Sequence, residues 1–365
     1  MNEKQITIYN KMTHFTRIED YPQNCSIYIY ADNLFGQHLF QLLTNKRPDI
    51  KILGFVSSFE KGDVLGLPCI LPKQLHDHPF DFVVITLFHY LEEIQECIAS
   101  IDEDKIRLNL VSNLAYHGRF LSDPTKDKEQ QIKFVHDRLQ TEQDRKLWQV
   151  LINAMKTDSV TEVVTWFLQN NKTELHYLEY FSLRDGDIVL EGGVFDGHTS
   201  CRFAEQVGDT GHVYGFDPLG KKFATAAFSK YQSVVHRIDV LPCAIADKEG
   251  EIYFNLDGAA TKMADKGTLV RVISMDDFVE EQQLPSVDFI KMDVEGAEPL
   301  ALKGVWKSIE TYRPALAISI YHGVDQYLDI PFQLMTDLKD YVFNLGCYSV
   351  EGLETVIYCT PKERL

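Results

Sequence analysis

From Ile188 onward, short apolar runs alternate with segments of helical periodicity, and that alternation restricts the second half of the chain to an open α/β sheet. After the turn Arg184-Asp185-Gly186-Asp187, the runs Ile188–Leu190, His212–Phe216, Val235–Ile238, Val287–Met292 and Ala315–Tyr321 predict strands. The ending differs. Tyr341–Phe343 and Thr355–Cys359 flank a turn-like stretch containing Gly346 and Gly352, which predicts a terminal antiparallel hairpin on an otherwise parallel sheet.

The same alternation occurs earlier, between Cys25 and Leu121. Strands are expected at Ser26–Tyr30, Ile50–Val56 and Phe82–Thr86, with helices at Phe35–Leu43 and Leu91–Ala99. Between the halves, Ser122 to Phe181 is charged and lacks strand runs. Leu147, Val150, Leu151 and Ala154 recur at helical spacing, as do Val163, Val164, Phe167 and Leu168, and predict a helical connector. A chain of 365 residues exceeds the usual single domain. The expected division is 1–121, 122–181 and 182–365.

The formal charge of −18, from 54 acidic against 36 basic residues, repels a phosphate backbone and argues against a nucleic-acid partner. The seven cysteines are scattered without a C-x-x-C, which argues against a zinc cluster and suits a reducing compartment. The N-terminus lacks a signal-peptide pattern, and runs such as Phe82–Leu87 are too short to span a bilayer. A cytoplasmic protein without a membrane span is the expectation.

Three segments carry the chemistry. In Ile188-Val189-Leu190-Glu191-Gly192-Gly193-Val194-Phe195-Asp196-Gly197-His198-Thr199 a buried strand passes through a glycine-bearing turn into a helix. Gly193 and Gly197 let the backbone approach a ligand, at the strand ends where open α/β sheets bind one. Val213-Tyr214-Gly215-Phe216-Asp217-Pro218 ends a strand in a carboxylate able to accept ribose hydroxyls. The turn is not G-x-G-x-x-G, and Glu191 at its start disfavours a pyrophosphate. A donor bearing a sulfonium and an ammonium, such as S-adenosylmethionine, is favoured over NAD. Ile290-Lys291-Met292-Asp293-Val294-Glu295-Gly296-Ala297-Glu298 places Lys291 and Asp293 two apart on a buried strand, a functional-site pattern that helix capping does not explain.

These segments resemble the FkbM family of methyltransferases. Glu191–Thr199 is similar to that family's D-x-G-A-x-x-G-x-T, Val213–Pro218 to its V-x-x-F-E-P, and Ile290–Gly304 to its I-K-x-D-V-E-G-x-E-x-x-x-L-x-G. Arg313-Pro314-Ala315-Leu316 through Tyr321-His322 resembles the segment that follows. The resemblance runs from about Arg184 to Cys359. Glu191 stands where Asp is usual, Val194 where Ala is usual and Asp217 where Glu is usual.

The resemblance implies a class I, Rossmann-like methyltransferase sheet and O-methylation of a hydroxyl on a sugar, glycan or secondary metabolite. Carried over residue by residue, it implies that Glu191, Gly192, Gly193, Phe195, Asp196, Gly197 and Thr199 surround the donor. Asp217 and Pro218 would hold the ribose, Cys243, Ala244 and Ile245 would line the adenine near Asp247, and Asp293 would border the methyl group. The N-terminal part resembles a degenerate Rossmann-like module. Its turn Ala31-Asp32-Asn33-Leu34-Phe35-Gly36 lacks two of three glycines, so docking or homo-oligomerisation is expected there rather than nucleotide binding.

An alcohol needs a base as its oxygen attacks, and Asp293, Glu295 and His322 are candidates, with Lys291 alongside. Asp293, Glu295 and His322 could instead hold a divalent Mg²⁺ or Mn²⁺, and spacing does not decide between the two. The rival readings are a non-catalytic scaffold that binds a nucleotide or glycan, and an NAD-dependent oxidoreductase working through the N-terminal part.

Overall fold

Ile188–Gly192 (β7) is buried at every position, as expected of a strand covered by helices on both faces of a parallel sheet. It organises one of two units into which the chain divides by internal contact. The first unit comprises residues 1–128, 147–171 and 348–353, and the second 129–146, 172–347 and 354–365. The computed structural model describes residues 3–30, 34–57, 62–86, 101–111, 125, 127–157, 159–170, 172–255, 262–350 and 352–365. The helix expected at Leu91–Ala99, and Ala31, Asp32 and Asn33 of the first turn, lie outside these.

The first unit is a parallel sheet. Its strands are Thr13–Phe15 (β1), Ser26–Tyr30 (β2), Lys51–Val56 (β3), Cys69–Ile70 (β4), Phe82–Ile85 (β5) and Ile106–Asn109 (β6), in the order β1-β6-β5-β2-β3-β4. All five pairings are parallel. The helix Leu34–Lys46 contributes Leu39, Leu42 and Leu43 to a core shared with Ile27, Ile29, Phe55 and Val84. Trp148, Leu151 and Ala154, then Val163, Val164 and Phe167, are buried along the helices Glu142–Thr157 and Thr161–Asn170, as the helical spacing requires.

The second unit contains a seven-stranded sheet. Joining β7 are His212–Phe216 (β8), Ile238–Leu241 (β9), Phe289–Met292 (β14), Ala315–Ser319 (β15), Tyr341–Cys347 (β16) and Thr355–Pro361 (β17), in the order β16-β17-β15-β14-β7-β8-β9. β17 is antiparallel to both its neighbours, and every other pairing is parallel. This is a Rossmann-like sheet with the terminal antiparallel hairpin that the sequence predicts. The chain runs outward from β7 through β8 to β9, then returns to β14 on the other flank. The switch point, where such sheets open a crevice at their carboxyl ends, therefore lies between β7 and β14.

Two details depart from the sequence expectation. Val235–Arg237 forms a 3₁₀ turn and the third strand begins at Ile238, because Arg237 folds back to the Ala204 carbonyl and the Asp209 carboxylate. A second, four-stranded sheet was not anticipated. Ala244–Ile245 (β10), Gly250–Asn255 (β11), Lys262–Met263 (β12) and Thr268–Ile273 (β13) run in the order β10-β13-β11-β12 around Ala244, Ala246, Phe254, Val270 and Val272. Among the described residues no helix is long and apolar enough to cross a membrane.

Candidate active site at the carboxyl ends of β7 and β14

The crevice is built from two turns that touch. A Cβ on Gly193 would lie 1.9 Å from the Asp293 carbonyl oxygen, and Gly193 has a φ of +82°, so only glycine fits there. Gly192 is less confined, its missing Cβ facing the end of the Ile245 side chain, Cδ1, at 2.6 Å. Gly197 serves a different neighbour. Its Cβ would meet Ala224 at 2.7 Å and Phe228 at 2.8 Å, so this glycine permits close packing within the chain. Asp196 Oδ1 accepts from the His198 amide at 3.0 Å just ahead of the helix His198–Gln206, whose N-cap is Gly197 and whose first turn holds Thr199.

Asp217, at the end of β8, grips the same turn. Its Oδ2 accepts from the amides of Val194 (3.1 Å) and Phe195 (2.9 Å), and its Oδ1 from Leu219 (2.8 Å). A carboxylate offers about four acceptor positions, so roughly one remains for a ribose hydroxyl, fewer than the sequence suggested. Pro218 follows directly. Glu191 is fully buried, takes a short hydrogen bond of 2.5 Å from Ser200, and keeps Oε1 without a partner. Burial pushes its carboxyl up to about 7, against the pull of Lys291 and Ser200. Cys243, Ala244 and Ile245 are buried, the last two as β10. Phe195 is instead 45% exposed beside Phe223, with ring centroids 6.0 Å apart.

Across the switch point, Lys291 is buried and turned toward β7, donating to the carbonyls of Gly193 at 2.6 Å and Gly192 at 3.3 Å. It thereby ties the two turns together. Asp293 accepts from the hydroxyls of Tyr177 (2.8 Å) and Tyr321 (3.0 Å), with Lys291 Nζ at 4.0 Å. Burial would raise its carboxyl, but Lys291, His322 and the Tyr177 hydroxyl outweigh that and hold it at about 2. Asp293 is thus a fixed anion and a weak base.

His322 is buried. Its Nδ1 lies 2.8 Å from Glu298 Oε1, and its Nε2 lies 3.5 Å from Asp293 Oδ1 and 3.6 Å from Glu295 Oε2. Neither ring nitrogen makes an aligned hydrogen bond. Burial opposes protonation here, yet the carboxyls of Glu298, Glu295 and Asp293 raise the imidazole well above its ordinary value. Glu295, at a φ of +52°, stands at the rim, about one third exposed.

Four participants escaped the sequence reading. Tyr177 and Tyr321 fix Asp293, Glu298 faces His322, and Glu354 accepts from Tyr321 at 3.4 Å with its other oxygen 3.5 Å from His176 Nε2. Although its side chain is 39% exposed, desolvation among the surrounding groups and the Asp293 charge push Glu354 up to about 7. Tyr177, Phe195, Glu295 and Glu354 all have left-handed backbones, at φ between 47° and 66°. Such strain gathers where surrounding structure holds a site in place.

Residues 187–343 match the sequence model of the methyltransferase FkbM domain. No curated protein matches the chain. Among solved structures, the methyltransferase FkbM from Methylobacillus flagellatus KT aligns at a TM-score of 0.63 and 18% identity, covering 94% of this chain and 92% of that one. The O-methyltransferase TomG from Streptomyces achromogenes, in complex with SAM, aligns at 0.35 and 13% identity, covering 61% of this chain and 90% of that one. An O-methyltransferase from Bacillus cereus in complex with SAH aligns at 0.34 and 15% identity, covering 63% and 96%. The FkbM likeness extends over both units, whereas the family match falls within the second. The segment similar to the methyltransferase FkbM domain, residues 187–343, contains β7, β8, β14 and β15 and both turns that meet across the switch point.

Proposed function

We propose that the second unit transfers a methyl group from S-adenosylmethionine to a hydroxyl of a small molecule or glycan. The observation that carries this reading is the abutment of the Gly193 turn and Asp293 across the switch point, ringed by Glu191, Asp217, Asp293, Glu295, Glu298 and Glu354. Against these stand the cations Lys291 and His322. A cationic donor fits that balance and a pyrophosphate does not. Glu191 with its unpartnered Oε1, and Asp217 with its remaining acceptor position, would hold the donor beside the turn.

When bound, S-adenosylmethionine supplies an electrophilic methyl group and a neutral thioether leaving group. The chain must then align the acceptor oxygen and receive its proton. Asp293 is poorly basic and already holds two tyrosine hydroxyls, so it orients rather than deprotonates. Glu354, at about 7 and linked to Asp293 through the Tyr321 hydroxyl, has the basicity suited to taking the proton.

The purified chain should bind S-adenosylmethionine in a calorimeter and release S-adenosylhomocysteine when given a hydroxyl acceptor. Asp217→Ala, which frees two amides of the glycine turn and that of Leu219, should weaken donor binding at least tenfold. Undiminished donor affinity in that variant, or binding of NAD in place of the donor, would refute the assignment.

A further inference from the structure

His322 sits among three carboxyls, yet none of them gives either ring nitrogen an aligned hydrogen bond. His322 Nδ1 and Nε2 and Glu298 Oε2 are all buried without an aligned partner, although both side chains are at most 3% exposed. Buried polar atoms in native proteins are nearly always satisfied, by protein, water or an ion. Donor atoms of Asp293, Glu298 and His322 lie within 4.8 Å of one another. His322 Nε2 and Asp293 Oδ1 are 3.5 Å apart, too far for a hydrogen bond. That distance suits two donors each about 2.1 Å from a shared first-row metal ion.

We infer that Asp293, Glu298 and His322 form a binding site for one divalent first-row transition ion, at the carboxyl end of β14. One imidazole and two carboxylates match Mn²⁺, Fe²⁺ or Zn²⁺ better than Mg²⁺ or Ca²⁺, which favour all-oxygen shells. Glu298 replaces Glu295 in the set suggested by spacing. Glu298 is buried and held by the Val294 amide at 2.9 Å, and its donor atom falls with those of Asp293 and His322, whereas Glu295, about one third exposed, lies outside that group. Tyr177 and Tyr321 donate to Asp293 from outside the set and fix its orientation, as partners of metal-bound carboxylates commonly do. The ion's place in catalysis, lowering the pKa of an acceptor hydroxyl beside Glu354, rests on the methyl-transfer reading; the site itself does not.

The full-length chain, stripped by chelator dialysis, is titrated with Mn²⁺ while the free-ion paramagnetic resonance signal is followed. One saturable ion per chain is expected, with ¹⁴N couplings from imidazole in the electron spin echo of the wild-type protein. That readout requires no variant. His322→Gln, Asp293→Asn and Glu298→Gln should each weaken binding at least tenfold, with folding checked by circular dichroism. Glu249→Gln, an exposed partner of Arg271 in β13, should leave it unchanged. Absence of saturable binding, or of nitrogen coupling, overturns the site and leaves His322 as the cluster's own cation. Because no donor or acceptor is present, this failure is distinguishable from failure of methyl transfer.

Discussion

Glu354 shows how far a side chain's chemistry depends on what surrounds it. Its carboxyl, pushed to about 7, is ionised above that value and protonated below it. If it accepts the substrate proton, kcat should rise as pH increases through 7 and level off above. Glu354→Gln should lower kcat by about 10²-fold or more, with little change in the donor's affinity, and remove that limb of the profile. A variant retaining the wild-type pH profile would exclude Glu354 as the base. Nothing in the local sequence marked this residue. Glu354 follows Leu353, has no glycine motif beside it, and gains its role from Asp293 and Tyr321, which only the fold brings near. Lys291 and Asp293 were legible because two charged residues on a buried strand have no bland explanation. Tyr177, which holds Asp293, and Glu298, which faces His322, were not, because tyrosines beside helices and glutamates in first turns are ordinary features of sequence.

The strands and turns were far more legible than the contacts they create. β7, β8, β14 and β15 announced themselves as apolar runs, and the reversed pair β16 and β17 as two apolar stretches around a turn, although of its two expected glycines Gly346 lies within β16 and only Gly352 between the strands. The small sheet escaped because β11 and β13 bury only alternate residues, a weaker signal than a run covered on both faces. The glycine turn was read as room for a ligand, while the structure spends most of that room on the chain itself. Gly193 is the sharper case. Gly193→Ala would set a methyl carbon 1.9 Å from the Asp293 carbonyl in a left-handed backbone, and the two turns would have to separate. The variant should lose about 2 kcal/mol or more of stability by denaturant melting, and Lys291 would lose its grip on the Gly192 and Gly193 carbonyls. Unaltered stability would mean that the turns are less tightly joined than their contact implies.

At the scale of the whole molecule, the formal charge of −18 is a statement about partners. A field of that sign raises the local concentration of a cationic donor and repels polyanions. The chain should therefore pass through a heparin column unretained at about 0.1 M salt, near which the Debye length is about 10 Å. Retention would point to a concentrated basic surface that the sequence does not display. The seven-stranded sheet carries a different consequence, in the order of synthesis. β17 is the later of the two hairpin strands, yet it is the one that sits between β15 and β16. Until residues 355–361 are made, β15 has an open edge and β16 has no strand beside it in the sheet. The sheet cannot close from one side to the other. Its last-made strand must enter an existing gap, so the seven-stranded sheet is complete only after residue 361 has left the exit tunnel, and a nascent chain stalled earlier presents a bare edge to chaperones or to other copies of itself.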